Sequence, residues 1–299
     1  MLKLIITLIL ILIIILTFYF YKIVSIKNDS PVTKVKEDSL AYPLLAKFDV
    51  LPKEVYSIEN DGLNLKAWYV PAEEETDKTV VIVHGHRQDR TGMRHYGQPF
   101  HECGYNLLMP DNRGHGKSDG KDITYGYYDK RDIIAWAKYL EKINPNVSTT
   151  FFGVSMGGAT VMMASGEDNL PESVKNIIQD CGFSNVFDEL AFQAKAQYGI
   201  SKFPMLYTVS LVNKIRQGWF YSQGDSVSQL ERNTRPILMI HGDSDTYVPY
   251  FMLDINYNAV KEGTPKEKVT IKGAEHALSI DTDLELYRQF ITDFMAKYN

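Results

Sequence analysis

A serine, an acid and a histidine, in that order along the chain, carry the chemistry that this sequence spells out. Gly153-Val154-Ser155-Met156-Gly157 follows the run Thr150-Phe151-Phe152 and precedes a small-residue helix start, Gly158-Ala159. Strand, tight turn and helix around G-x-S-x-G form the nucleophile elbow. Its glycines are needed because the serine sits on a strained turn, where flanking Cβ atoms would meet neighbouring strands. A serine hydroxyl at its ordinary pKa is a weak nucleophile and needs an adjacent base. The elbow architecture places acid and then histidine after the serine, and of seven histidines only His241 and His276 follow Ser155. His241 ends the apolar run Ile237–Ile240, which suits a structural hydrogen bond, whereas His276 lies in the loop Gly273–Ala277 before the last helix. His276 is therefore the expected base. The acid that orients it comes from His241–Pro249. Asp245 is preferred over Asp243, which follows Gly242 directly and suits an Asx turn.

Two further parts complete the expected site. Backbone N–H groups of His86, in the loop His84-Gly85-His86-Arg87, and of Met156 are expected to form the oxyanion hole. His84 and His86 could alternatively ligate a metal. The pattern H-x-H-x-D-H is not completed, however, because Gln88 and Asp89 stand at its next positions. Neither metal nor cofactor is expected.

The elements that would position these residues follow an α/β rhythm. Strands are expected at Glu54–Glu59 and Leu63–Val70, joined by the turn Asn60-Asp61-Gly62, then at Val80–His84, Asn106–Pro110, Thr150–Gly153, Val174–Gln179, Ile237–His241 and Lys268–Ile271. Helices are expected up to Gly104 and at Tyr128–Ile143, Met156–Ser165, Phe251–Glu262 and Asp283–Tyr298. Such alternation predicts a mostly parallel, doubly wound sheet covered on both faces. Residues 184–234 break the rhythm with helical patterning and a dense aromatic set, and are expected to form a helical cap over the site. Trp219 and Phe220, after the turn Arg216-Gln217-Gly218, are the expected substrate-facing aromatics.

Composition narrows the function classes. Of 299 residues, 44% are hydrophobic, enough for one large domain at 51–299, and a net charge of -5 without a basic run argues against nucleic-acid binding. Cys103 and Cys181 show no metal or redox spacing and are expected to be buried free thiols. Residues 1–24 form an apolar segment from Leu4 to Tyr21, flanked by Lys3 and Lys22, and about eighteen helical residues nearly span a bilayer core. A cleaved signal peptide is the rival, but no A-x-A-like site follows. An uncleaved anchor with a tether and lead-in at 25–50 is expected. Lys22, Lys27, Lys34 and Lys36 after the span favour a cytoplasmic domain. Long domains translocate largely regardless of such charges, and the anchor stands where an export signal would, so an extracytoplasmic domain is expected.

The chain resembles an α/β hydrolase of the bacterial cell-surface-hydrolase type, in the serine aminopeptidase (S33)/esterase branch. The resemblance runs from about residue 50 to the end and rests on His84-Gly85, Asp111–Ser118, Gly153–Gly157, His241–Pro249 and Gly273–His276. It implies that Arg113 and His115 are scaffold rather than catalyst. Two-step acyl transfer on a small-molecule acyl substrate is expected, with an ester as the leading substrate. A peptidase or amidase using the same triad, and a non-catalytic membrane-tethered binding protein, are the alternatives.

Overall fold

Eight strands form one sheet in a computed structural model that describes residues 1–27, 32 and 34–298. They are β1 (Glu54–Asn60), β2 (Leu63–Val70), β3 (Lys78–Val83), β4 (Asn106–Pro110), β5 (Ser148–Val154), β6 (Val174–Asp180), β7 (Ile237–Gly242) and β8 (Lys266–Ile271). Their order is β1-β2-β4-β3-β5-β6-β7-β8, antiparallel at β1/β2 and β2/β4 and parallel from β4 onward. The expected hairpin turn has two central residues in the left-handed region, Asp61 at φ 50° and Gly62 at φ 73°. This is the conformation of a two-residue turn whose twist matches its strands.

Alternate residues of each strand feed two cores, because side chains on a strand point to opposite faces. Val80 and Ile82 join Tyr96, Phe100, Tyr287 and Phe294 on one face. Val81 and Val83 join Ile133, Trp136, Val161 and Leu253 on the other. Both faces are thus covered, which is why the parallel strands read as continuous apolar runs.

Several elements differ from expectation. The stretch before Gly104 is a short 3-10 turn, Arg90–Met93, followed by a helix at Arg94–Glu102. The helix from Phe251 stops at Ala259, where Val260 turns extended and buries in the core. The lead-in at 25–50 is no simple tether: Tyr42–Asp49 is helical and buries Leu44 and Phe48 in the main core. The rest of that lead-in includes residues 28–31 and 33, which lie outside the described residues. Cys103 is exposed, against the expectation of burial, because it caps the end of the helix Arg94–Glu102; Cys181 is buried, and both thiols are free.

The cap is helical, with Val186–Tyr198 as first cap helix, Met205–Gln217 as second, and Ser226–Leu230 leading back to the sheet. Asn185 opens the first by accepting a 2.8 Å hydrogen bond from the Phe187 N–H, and Gly199 and Gly218 close the two in the left-handed conformation. The N-terminal helix, Leu2–Ser25, does not stand apart from the domain. Its first fifteen residues are mostly exposed, while Thr17, Tyr21 and Ser25 are buried against the second cap helix and its surroundings.

Candidate active site

The end of β5 turns into the helix Met156–Ser165 within a single residue. Ser155 takes φ 56° and ψ -118°, a strained conformation for a residue with a side chain. Its N–H donates to the Asp180 carbonyl at 2.8 Å and its carbonyl accepts from the Ala159 N–H at 3.0 Å, so main-chain bonds hold the strain. The glycines are demanded by space: a Cβ on Gly157 would lie 2.0 Å from the Val83 carbonyl oxygen, and one on Gly153 2.2 Å from that of Gly157.

Three loops at the carboxyl edge of the sheet bring the other groups to this serine. Ser155 Oγ is 2.8 Å from His276 Nε2, and His276 Nδ1 is 2.8 Å from Asp245 Oδ2. Asp245 Oδ1 accepts from the N–H groups of Tyr247 and Val248 at 2.8 and 2.9 Å. Burial opposes charge on Asp245, yet hydrogen bonds from His241 and His276 and their positive charge prevail and hold its carboxyl down to about 2. Asp243 instead accepts from the Gly273 N–H at 2.6 Å and is exposed, a turn-closing role. His241 Nε2 faces two acceptors, Asp245 Oδ2 at 3.2 Å and the Val248 carbonyl at 3.0 Å, so this nitrogen carries the proton. His241 thus buttresses the acid at the same oxygen that His276 holds.

The loop after β3 closes the site. Gly85 passes so near the serine that a Cβ there would lie 3.4 Å from Ser155 Cβ, which brings the following amides alongside the nucleophile. His84 is tied down by the Gly85 carbonyl at Nδ1, 2.8 Å, and by the Asn112 N–H at Nε2, 2.9 Å. His86 stacks on Tyr125, and burial pushes its pKa down to about 4. Arg113 forms a two-pronged ion pair with Asp132 at 2.6 and 2.7 Å, and His115 Nε2 accepts from the Arg87 N–H at 3.3 Å. Among the described residues, Cys181, Asp245 and His276 bring three potential metal-ligand atoms within 4.8 Å. Asp245 and His276 turn those atoms on each other, and burial pushes the Cys181 thiol well up, away from the thiolate a metal would need.

Over Ser155 lies a cavity of about 160 Å³, walled mainly by apolar groups. The sheet side supplies His86, Arg87, Ser155, Met156 and Tyr247, so both expected oxyanion-hole residues border it. The cap side supplies Leu190, Ala194, Met205, Leu206 and Val209. Trp219 and Phe220, expected to face substrate, do not line it. Trp219 is fully buried and stacks on Tyr127 at 4.5 Å, its Nε1–H donating to Gln217, while Phe220 points to solvent. The turn before them aims Trp219 at the cap's own core, which needs a large flat side chain to fill it.

Two contributors to the cavity escape the sequence reading. Glu189 lines it, with Oε1 accepting from Gln193 at 3.0 Å and Oε2 buried without a hydrogen-bond partner. Burial raises its carboxyl to about 8, with Asp245 adding to the rise against the Gln193 hydrogen bond. A glutamate in the first turn of a cap helix looks like an ordinary dipole-complementing surface residue, so nothing local marks it. The second contributor is the N-terminal helix, whose Phe20, Ile23 and Val24 form part of the wall. Its terminal carbonyls are satisfied by the site itself: Arg87 donates to Ile23, and the Tyr125 hydroxyl donates to Val24 at 2.5 Å.

Known proteins are similar to this chain in sequence and fold. Residues 74–186 match the family model described as serine aminopeptidase, S33. Protein YqkD of Bacillus subtilis, itself uncharacterised, is 27% identical over 275 residues, covering 91% of this chain and 88% of YqkD. The Pyrococcus furiosus esterase Pf2001 superposes with a TM-score of 0.68 at 21% identity, over 90% of this chain and 99% of that one. Est1E from Butyrivibrio proteoclasticus, with ferulic acid bound, gives 0.63 at 24% identity, over 81% and 98%.

Proposed function

We propose that the chain is a serine hydrolase of the α/β-hydrolase superfamily and that it cleaves carboxylic esters through an acyl-enzyme on Ser155. The observation that carries this reading is the unbroken relay Ser155–His276–Asp245, 2.8 Å at each link, beneath an apolar cavity. His276 Nε2 takes the Ser155 proton as Oγ attacks the acyl carbon, then returns it to the leaving alcohol; water reverses the sequence and frees the acid. Asp245 holds the imidazole by its Nδ1–H and balances the charge it gains. The N–H groups of His86 and Met156 receive the developing oxyanion.

Glu189 favours a second reading, an aminopeptidase that would bind a substrate ammonium group in the cavity, in keeping with the family description. Burial weighs against it. With its pKa raised to about 8, Glu189 offers a neutral carboxyl near pH 7 rather than the charged anchor an ammonium needs. The test is a parallel profile of the full-length protein in detergent against p-nitrophenyl esters and aminoacyl p-nitroanilides. Preference for the esters by kcat/KM is expected; preference for the amides overturns the ester reading. Labelling of Ser155 by a fluorophosphonate separates both from a non-catalytic binding protein.

We also read the N-terminal helix as an uncleaved single-span anchor, with the hydrolase domain outside the cytoplasm. Its length and apolar composition support the span. Retention is supported by Arg87 and Tyr125, whose partners on residues 23 and 24 would be lost with the helix.

A further inference from the structure

We propose that the ester reaches Ser155 from within the bilayer, along a seam between the N-terminal helix and the cap, and that the cap's outer face rests in the membrane interface. The inference rests on the ester-hydrolase and anchor readings above and names the substrate class: an acyl ester dissolved in the membrane.

Helix length is the first support. The docked part of the N-terminal helix begins at Thr17, whose hydroxyl meets that of Thr208 at 2.6 Å. Leu2–Leu16 precede the first buried residue of the helix, with Ile13 and Leu16 already partly covered, and fifteen residues at ~1.5 Å each cover about 22 Å of a hydrocarbon core about 30 Å thick. About one and a half turns of the docked part must therefore also lie at membrane depth. Phe18 and Tyr19 there are exposed aromatics, the side chains that settle at bilayer interfaces.

What touches those turns goes in with them. Thr17 lies against the start of the second cap helix, while Tyr21 meets Gln217 at its end, so the two helices run in the same direction. The start of the cap helix therefore faces the bilayer. Phe203, 72% exposed, stands just before it, and Tyr207 and Leu211 follow on the helix, exposed beside the contact with the N-terminal helix. Such a contiguous apolar surface has no reason to face water. Charge agrees: near the turn that joins the cap helices Lys195 and Lys202 are exposed, and from Val186 to Lys202 the acids are Asp188 and buried Glu189, on a chain whose net charge is -5. Those cations suit the headgroups of anionic lipid.

The cavity opens on this same side. Three of its exposed lining residues, Gln197, Tyr198 and Ser201, stand at the turn joining the cap helices, with Tyr247 the exposed residue on the sheet side, and across from Tyr198 stands Phe20, the two rings 5.5 Å apart. An acyl chain leaving the bilayer beside the anchor would meet this border first and the serine behind it.

The experiment uses the full-length protein in phosphatidylcholine–phosphatidylglycerol vesicles. Mono-oleoylglycerol is dispersed in the same bilayer and p-nitrophenyl acetate dissolved in the water. The variants are Phe203→Asp and Leu211→Asp, both at exposed positions outside the cavity wall. Each is expected to lower mono-oleoylglycerol hydrolysis at least tenfold and to leave acetate hydrolysis within twofold of the parent. Equal rates on mono-oleoylglycerol in parent and variants, or a parent that cleaves the acetate but not the glyceride, overturns the membrane route alone. A parent inactive on both esters, with Ser155 unlabelled by fluorophosphonate, overturns the ester reading beneath it.

Discussion

Ser155, at the floor of the cavity, and Trp219, in the cap's own core, are held in opposite ways. Ser155 is fixed by main chain: a φ of 56°, an amide bonded to Asp180, and glycines that admit neighbouring carbonyls where a side chain would clash. Trp219 is fixed by side chains from distant sequence, stacked on Tyr127 and edge-on to Tyr221, which in turn meets Ser25 of the N-terminal helix at 2.5 Å. The sheet edge is therefore written locally, in short motifs, and the cap side is written in long-range packing. Substitutions on the two sides should separate accordingly, with chemistry lost on one and stability or selectivity on the other.

The largest effect is expected at the nucleophile. Ser155→Ala should lower kcat by about 10⁶, as should His276→Ala, and the double variant should lose little more, because nucleophile and base act as a unit. Circular dichroism and melting temperature should stay near the parent's, since alanine keeps the Cβ and the backbone conformation of Ser155 and the exchange leaves no cavity in either core. A large fall in melting temperature without loss of turnover would erase the contrast between the two sides.

Asp245→Asn is expected next, at about 10⁴ in kcat, by stranding His276 in the wrong tautomer. Asp243→Asn should leave kcat within a few-fold, because that carboxylate only closes the turn to Gly273. Comparing the two under saturating ester tests the assignment, and the reverse ranking would mean the turn has been read wrongly.

On the cap side, Trp219→Ala should cost about 3–5 kcal/mol of stability in denaturant unfolding, the range for emptying a buried large aromatic site. Activity should fall by the same factor for acetate, butyrate and octanoate esters. Phe220→Ala, at the exposed neighbour, should change stability by less than about 0.5 kcal/mol. A loss at Trp219 confined to long acyl chains would put this residue back at the substrate.

The last expected effect crosses the boundary and shows as a dependence on pH. Glu189 is ionised in the unfolded chain above about pH 4.3 but stays protonated in the fold until about 8. Between those values folding takes up a proton, so this group makes stability fall as pH rises and level off above about 8. Glu189→Gln should remove that slope. Its melting temperature relative to the parent should climb from about pH 5 to about pH 8 and then hold, read by thermal unfolding across a buffer series. No pH dependence in that difference would show that Glu189 is charged in the fold and would reopen the ammonium-anchor reading.

Why the sequence speaks so unevenly follows from the same contrast. G-x-S-x-G between a β run and small residues, or Asp245 three residues before Val248, are patterns whose geometry is decided within a few residues of backbone. Strand identities were legible because parallel strands buried on both faces leave apolar runs such as Val80–Val83. The direction of Trp219 was not legible, because an aromatic in a cap can face the substrate or the cap's own core, and only the partner at Tyr127, over ninety residues earlier, decides between them. Nor was the docking of the N-terminal helix. Its uniform apolarity reports an environment without water and conceals the Thr17, Tyr21 and Ser25 positions that grip the domain.

The crowding at Gly153 and Gly157 has a consequence for descent. Because the carbonyls of Val83 and Gly157 occupy the space a Cβ would take, these glycines are demanded by the close passage of β3, β5 and the following helix, whatever residue stands at 155. A lineage that abandoned hydrolysis could exchange Ser155, His276 and Asp245 by drift, yet would keep both glycines for as long as the sheet endured. Within such lineages the flanking glycines record ancestry, and the three polar residues record present occupation.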